Sequence, residues 1–158
     1  MIDASEARRR LAALIDSQST LVLSTAGAGG PAGAPLFYVP CGDLRLCWLS
    51  SPRSRHSENL ASANGAAAVS IHAATFRWEE ILGAQLTGTV EVVEAQDERA
   101  RILAAYRERF DLGPSFDRAI GSAALYRFTP TRARLLDNGL GFPGKVELDP
   151  GTPADQAG

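Results

Sequence analysis

The sequence predicts a mainly β protein with peripheral helices, arranged as an antiparallel barrel or sandwich. Five or six segments have strand patterns, and the early ones are joined by short connections rich in Gly, Pro and Asp. Few segments show helical spacing of apolar residues, and the first two predicted strands have no helix between them. A parallel sheet needs a long crossover after nearly every strand, so the antiparallel arrangement is favoured.

The first third of the chain predicts one helix and three strands. Residues 3–16 place apolar side chains on one face of a surface helix. A strand over 20–25 leads into the Gly- and Pro-rich segment 26–33, which predicts a flexible hairpin connection. The strands that follow, over 35–39 and 44–49, form a predicted hairpin.

The remaining two thirds predict further helices and strands and a tail. A strand that begins at Ala124 is expected to break near Pro130, because proline cannot donate to a sheet ladder. After Asp149 the composition shifts to Gly, Pro, Asp and Gln, which predicts a single domain over 1–148 and a flexible tail over 149–158. The other predicted elements are a helix from Pro52 to Ala63, strands over 66–72 and 82–95, a helix capped by Asp97, a short helix over 114–121, and a last strand over 146–148.

Composition limits the function classes. The chain has 158 residues, a 45% hydrophobic fraction and a net charge of −2, which indicates one soluble domain and no basic surface for nucleic acid. No run approaches the roughly 18 apolar residues of a membrane span, and the N-terminus lacks a signal-peptide core. We therefore expect a cytoplasmic protein in which Cys41 and Cys47, on either side of the turn at 42–43, are reduced.

The most informative segment lies where a strand ends and a helix begins, over 48–60. Ser51 suits an N-cap and Pro52 the first helical position. A helix N-terminus offers free N–H groups and the positive end of the dipole, so hydroxyls and guanidinium groups there suit a phosphate. An ordinary capped helix with solvated arginines remains the alternative interpretation. The polar side chains of this junction are Ser50, Ser51, Arg53, Ser54, Arg55 and His56.

Other chemistries find little support in the sequence. His56 and His72 are the only histidines and neither lies in a ligand cluster, so no metal site is predicted. No Gly-x-Ser-x-Gly motif is present, and the adjacent acids Glu79 and Glu80 would point to opposite faces of a strand. If the protein catalyses a reaction, a cofactor is expected to supply the chemistry.

The order of these motifs resembles the pyridoxamine 5′-phosphate oxidase-like family of flavin-binding split barrels. The resemblance extends over residues 5–148 and depends on three motifs: Ser54-Arg55-His56, the helix end Asn64-Gly65, and Gln85-Leu86-Thr87-Gly88. The segment Asp137–Lys145, with its Asp-Asn-x-Leu-Gly-Phe pattern, is similar to the end of the uncharacterised YhbP-like proteins.

The resemblance implies a six-stranded antiparallel Greek-key split β-barrel that forms a homodimer, with one FMN in each of two clefts at the subunit interface. Ser50 and Ser51 would contact the phosphate or ribityl chain. Arg55 and His56 resemble the family's Arg-Lys pair on the phosphate, and Ser54 adds a hydroxyl. His56 departs from the usual Lys, so phosphate affinity should depend on pH.

Two further residues are implied at the cofactor. Gln85 resembles the amide that approaches the flavin ring or ribityl hydroxyls, and Lys145 would reach the cofactor from the partner subunit. The true oxidase has a basic Arg-x-His-Asp-Arg-like segment near its end, where this chain has Phe142-Pro143-Gly144-Lys145. Oxidation of pyridoxamine phosphate is therefore disfavoured.

The sequence thus favours an FMN-dependent oxidoreductase that acts on an unidentified small molecule, with no nucleic-acid or membrane partner. Two alternatives stay open. One replaces FMN with the deazaflavin F420, which related barrels use. The other is a flavin- or haem-binding protein without turnover, in which His56 or His72 would be the axial ligand of a haem.

Overall fold

The computed structural model describes residues 2–151 and consists of one antiparallel sheet with helices packed around it. The strand order is β2-β1-β5-β6-β7-β4-β3, and β8 pairs with β7. The strands are β1 (Thr20–Gly27), β2 (Gly30–Phe37), β3 (Val39–Pro40), β4 (Leu46–Ser50), β5 (Ala66–His72), β6 (Leu82–Val92), β7 (Ala124–Asp137) and β8 (Lys145–Leu148). The helices are α1 (Ala4–Ser17), α2 (Arg55–Ser62), α3 (Gln96–Phe110) and α4 (Asp117–Ser122).

The prediction of a mainly β, antiparallel fold with helices is confirmed, but the count of six strands is wrong, because residues 2–151 form eight strands. The buried Tyr38 separates β2 from the two-residue β3. Strand β7 is long enough to pair with two strands in succession: its residues 124–128 pair with β4, and its residues 133–136 pair with β8. One long strand therefore supports two shorter ones along the same edge.

Two predicted boundaries need correction. The Gly- and Pro-rich segment 26–33 is not a flexible connection, because β1 and β2 pair in register from Thr20 with Phe37 to Gly27 with Gly30. Small residues hide the alternation that marks a strand. The second helix begins at Arg55 with Ser54 as N-cap, three residues after the predicted start at Pro52.

Strand β7 runs unbroken through Pro130, contrary to the predicted interruption. It accommodates the proline with a β-bulge: Gly88 pairs with Pro130 while Thr87 pairs with Arg132, which leaves Thr131 as the extra residue. The partner must be glycine, since a Cβ on Gly88 would lie 2.1 Å from the carbonyl oxygen of Thr129. The bulge changes which side chains of β7 face outward.

The core lies between the inner face of the sheet and helix α1. Asp3 caps α1 through a 2.7 Å hydrogen bond from the N–H of Glu6, and the helix buries Leu11 and Leu14 against the sheet. On the sheet side, Trp48 and Phe128 are fully buried. A smaller cluster forms under α3, which starts at Gln96 without a side-chain cap, in place of the predicted cap at Asp97.

The cysteines differ from the prediction: Cys41 and Cys47 form a disulfide instead of remaining reduced. They flank the turn between β3 and β4, where Gly42, Asp43 and Leu44 all have positive φ angles. This tight turn brings the two Cα atoms to 6.2 Å, within the range of disulfide bridges.

The predicted tail, residues 149–158, follows directly after the last strand, β8. Pro150 is buried, and its carbonyl accepts a 3.1 Å hydrogen bond from Nη1 of Arg8. Residues 152–158 of the tail lie outside the described residues, and its flexibility stays a prediction. Among residues 2–151, no helix is long and apolar enough to cross a membrane.

Candidate functional site

The junction between β4 and α2 is the first candidate site. Strand β4 ends at Ser50, and a turn closed by a 3.0 Å bond from the Ser54 N–H to the Ser51 carbonyl leads into the helix. Ser54 adopts extended backbone angles and its hydroxyl accepts from the N–H of Ser57, which makes it the N-cap. The N–H groups of Arg55 and His56 fall in the first helical turn, where no intrahelical carbonyl can reach them.

The hydroxyl groups of the junction surround one histidine nitrogen. His56 Nε2 lies 2.7 Å from Ser50 Oγ and 3.0 Å from Ser54 Oγ, and Ser54 donates to Ser57 Oγ at 2.8 Å. If Nε2 carries the proton, it donates to Ser50 and Ser54; if Nδ1 carries it, Nε2 accepts from Ser50. In both tautomers the hydroxyls of Ser50 and Ser54 are therefore already hydrogen-bonded within the junction.

The charge of the junction depends on pH. Burial lowers the pKa of His56 below its ordinary value, so the imidazole is neutral at neutral pH. Arg55 carries the permanent charge, and its Nη2 donates to the carbonyl oxygen of Gly29, 2.6 Å away at the tip of the β1–β2 hairpin. Arg53 and Ser51 are exposed, and the Ser51 hydroxyl accepts from the N–H of Arg53 at 3.3 Å.

Gln85 and Lys145 belong to a different surface, the outward face of β6, β7 and β8. Gln85 pairs in register with Arg134, and Arg134 pairs with Glu147. Nη1 of Arg134 lies 3.3 Å from Oε1 of Gln85, and the same guanidinium forms an ion pair with Glu147. Lys145 pairs with Leu136, two residues further along β7, and is exposed.

Within one chain the two candidate regions lie on opposite sides of the sheet. Helix α2 packs on the inner face, where Asn59 donates a 3.1 Å hydrogen bond to Thr25, a side chain buried in line with Leu23. Gln85 is exposed and its neighbour Leu86 is buried, so Gln85 points outward. The structure therefore brings Gln85 and Lys145 onto one face and keeps both apart from the Ser50–His56 junction.

Three residues of the outward face escaped the sequence-based selection: Arg132, Arg134 and Glu147. Together with Gln85 and Thr87 they line an open cavity of about 340 Å³. The alternation of β7 could have revealed the two arginines only if the bulge at Thr131 were known. The available signal in the sequence was the presence of Gly88 and Pro130 within segments of strand pattern, since both residue types are typical of an irregular position in a strand.

The second histidine lies at the end of the outward face. His72 is exposed, and its Nδ1 lies 3.2 Å from the carbonyl oxygen of Ala73. It borders a mostly apolar hollow of about 440 Å³ that Phe76 and Ile81 also line. Phe76 is fully exposed. Within residues 2–151, no three His, Cys, Asp or Glu side chains cluster as metal ligands would.

A pair of aromatic side chains lies at this end of the sheet. Trp78 and Phe142 pack edge to face, with ring centroids 6.0 Å apart, and both are more than half exposed. Asn138 donates a 2.7 Å hydrogen bond to the carbonyl oxygen of Trp78, so the segment after β7 is fixed against the segment before β6. This contact gives the predicted Asp137–Lys145 motif a structural role.

Solved structures with the same fold include haem proteins. The heme binding protein from Mycobacterium smegmatis is 20% identical with a TM-score of 0.74, over 98% of this chain and 61% of that chain. HutZ, the heme storage protein of Vibrio cholerae, is 21% identical with a TM-score of 0.62, over 82% and 91% of the two chains. ChuZ from Campylobacter jejuni is 13% identical with a TM-score of 0.79, over 99% of this chain and 66% of that chain.

These TM-scores show a shared split-barrel fold, and the chain spans about two thirds or less of the length of the Mycobacterium and Campylobacter proteins. No curated protein matches the sequence. The family model described as pyridoxamine 5′-phosphate oxidase matches residues 7–137, which is most of the chain. The match covers β1 to β7 and includes both the junction and Gln85. The protein therefore belongs to the pyridoxamine 5′-phosphate oxidase family.

Proposed function

We propose that this protein is a homodimeric, FMN-binding oxidoreductase that acts on a small molecule. The single observation that supports this most is the N-terminus of α2, where the first-turn N–H groups of a helix capped by Ser54 lie beside the hydroxyls of Ser50 and Ser54, and where Arg55 is the first helical residue. This donor set fits a phosphate monoester. The bound flavin would supply hydride chemistry, and the protein would supply anchoring and orientation.

Phosphate binding at the junction would require the hydroxyls to rotate. Ser50 and Ser54 now bond to His56, so each must turn its O–H toward the phosphate. Arg55 would exchange its bond to the Gly29 carbonyl for a charge-assisted bond to a phosphate oxygen. Ser51 and Arg53 are exposed beside the turn and would complete the phosphate-binding site.

The separation of the two candidate regions supports a dimer. The junction lies on the inner side of the sheet, and Gln85 and Lys145 lie on the outer side. One cofactor touches both sets if the outward face of one subunit packs over the junction of the other. In this arrangement, Gln85 orients the ring or ribityl chain and Lys145 reaches the cofactor from the partner.

Flavin titration tests the proposal directly. We expect the protein to quench FMN fluorescence with a one-to-one subunit stoichiometry and to bind riboflavin more weakly, because riboflavin lacks the phosphate. Light scattering should give the mass of a dimer. A protein that neither quenches FMN nor shifts its absorption spectrum would refute FMN binding, and a monomer at micromolar concentration would refute the interface.

Mixed dimers test the division of labour between subunits. The double variant Ser54→Ala/Arg55→Gln and the variant Gln85→Ala should each bind FMN weakly as homodimers. Coexpression should yield heterodimers in which one of the two sites is fully native, with half the native stoichiometry at native affinity. If the junction and Gln85 of one chain form a site together, both sites of every heterodimer carry one altered residue set, and no site binds FMN with native affinity.

A haem-binding protein is the second candidate function, and the geometry of His72 favours it. A hydrogen bond from Nδ1 to the Ala73 carbonyl would leave Nε2 free as an axial ligand. The apolar hollow beside it and the exposed Phe76 would contact a macrocycle. The names of the Mycobacterium and Vibrio structures, a heme binding and a heme storage protein, agree with this alternative.

Hemin titration separates the two histidines. If His72 is the ligand, the Soret band disappears in His72→Ala and persists in the matched variant His56→Ala. The reverse result would assign haem to the junction. A band that the double variant His56→Ala/His72→Ala retains would exclude histidine ligation and with it this candidate.

The remaining expectations concern cofactor, substrate and location. We propose FMN ahead of F420, and cofactor extraction from the native host distinguishes the two by mass. We also propose that pyridoxamine phosphate is not the substrate, because the segment Phe142–Lys145 lacks the basic motif; production of pyridoxal phosphate would contradict this. We also propose a cytoplasmic location, which cell fractionation tests independently of the Cys41–Cys47 bridge.

A further inference from the structure

The β-bulge at Thr131 decides where two arginines point. Before the bulge the even-numbered residues of β7 face the core, as the buried Phe128 and Pro130 show. After it the odd-numbered residues do so, as the buried Ala133 and Leu135 show. Without the extra residue, Arg132 and Arg134 would therefore point into the core.

The bulge places both guanidinium groups beside Gln85 and Thr87. Arg132 pairs with Thr87, and Arg134 pairs with Gln85. The outward side chains of β6 and β7 thus form two adjacent rows, each with one arginine opposite one polar side chain. These rows line the open cavity of about 340 Å³.

The charges in this cavity do not balance. Two arginines face one carboxylate, that of Glu147, which forms an ion pair with Arg134. Arg132 has no acidic partner among residues 2–151 and is exposed. Its planar fork of N–H groups is suited to two oxygens of a single oxyanion.

We propose that this cavity is an oxyanion subsite that holds a carboxylate or phosphate group of the substrate. Arg132 is the primary donor, Arg134 contributes the N–H groups that Glu147 does not use, and Thr87 and Gln85 bind the polar atoms beside the anionic group. The proposal extends the proposed function, because Gln85 is the residue expected next to the flavin. It specifies that the small molecule is acidic.

The experiment is a titration of the flavin-free, full-length protein with inorganic phosphate and with malonate, followed by the backbone amide signals in NMR spectra. We expect one set of shifts centred on Gln85, Thr87 and Arg132, separate from the shifts that phosphate causes at the N-terminus of α2, with a dissociation constant in the roughly millimolar range. Arg132→Gln should weaken binding about tenfold, through loss of the charge-assisted bonds. The stronger of the two probes identifies the preferred oxyanion.

Matched variants control for charge and folding. Arg101→Gln removes an exposed arginine of α3 and should leave the dissociation constant within twofold of the native value. Arg132→Lys keeps the positive charge but loses the planar set of N–H groups. Its dissociation constant should therefore lie between those of the native protein and Arg132→Gln. Amide shifts spread evenly over the surface, or equal losses in Arg132→Gln and Arg101→Gln, would overturn the subsite.

A parallel flavin titration distinguishes failure of the subsite from failure of the proposed function. Arg132→Gln should leave the affinities for FMN and riboflavin unchanged. If it weakens FMN but not riboflavin, the arginines hold the cofactor phosphate and the substrate subsite is overturned. If the native protein binds phosphate at Arg132 and does not bind FMN, the subsite is supported while the FMN proposal fails.

Discussion

The junction and the outward face of β6 and β7 both collect polar side chains, but they differ in how those side chains are satisfied. At the junction, neighbours in sequence bond one another: Ser50, Ser54 and His56 form one cluster within 3.4 Å. On the outward face, residues far apart in sequence meet through strand register, and Arg132 keeps its charge unpaired among the described residues. Crowding in sequence therefore does not by itself indicate free binding capacity.

The largest expected effect comes from removing the bulge that builds the outward face. In Gly88→Val, the new Cβ would lie 2.1 Å from the Thr129 carbonyl oxygen, so the β6–β7 pairing must distort. We expect a loss of about 3 kcal/mol in the free energy of unfolding, measured by urea denaturation. Gly121→Ala on α4 is the control: open space surrounds its Cβ, and its stability should not fall.

The junction is tested next through its permanent charge. Arg55→Gln removes the guanidinium expected on the phosphate, so the dissociation constant for FMN should rise at least tenfold. Binding of riboflavin, measured by the same fluorescence quenching, should change less than twofold. Equal losses for both ligands would mean that Arg55 acts by holding the Gly29 hairpin tip and not by binding phosphate.

Two serines of the junction provide a sharper contrast. Ser54→Ala removes the N-cap of α2 and should cost about 1 kcal/mol of stability. Ser51→Ala removes an exposed hydroxyl that bonds only to the Arg53 N–H, and we expect a change below about 0.5 kcal/mol. Chemical denaturation of the two variants side by side measures the difference. Equal losses of stability in Ser54→Ala and Ser51→Ala would show that the turn at Ser51 starts the helix.

The smallest expected effect is on the pH dependence of stability. Burial lowers the pKa of His56 in the folded chain, so the unfolded chain binds more protons as the pH falls below its ordinary value of 6.5. Stability should therefore decline between pH 7.5 and 5.5, and His56→Gln should remove that part of the decline. His72→Gln should retain it. A native profile indistinguishable from that of His56→Gln would contradict a buried, neutral imidazole.

Local patterns in the sequence predicted the elements whose signals are local. Helix α1 follows from its apolar stripe. The hairpin predicted between residues 35–39 and 44–49 is present only in part: Val39 and Pro40 pair with β4, whereas residues 35–37 belong to β2 and pair with β1. The predicted start of α2 was wrong by three residues, because Ser51-Pro52 has the local pattern of a helix start although Ser54 is the N-cap. The Ser50–His56 cluster was foreseen as a group, although its internal hydrogen bonds were not.

Features that depend on pairing between distant strands could not be predicted. The outward direction of Arg132 and Arg134 depends on how Gly88 and Pro130 meet across two strands. The extended β2 was hidden because glycine, alanine and proline give no apolar alternation. The disulfide depends on three successive positive φ angles that no spacing of cysteines reveals.

Strand β2 has a consequence for how copies of this chain can associate. It forms one edge of the sheet, and its Pro31 and Pro35 have no N–H to donate to an added strand. An incoming chain would therefore meet an incomplete hydrogen-bond ladder along this edge. Growth of the sheet into a fibril-like stack is disfavoured there, so we expect the proposed dimer to form through a face of the sheet and not through this edge.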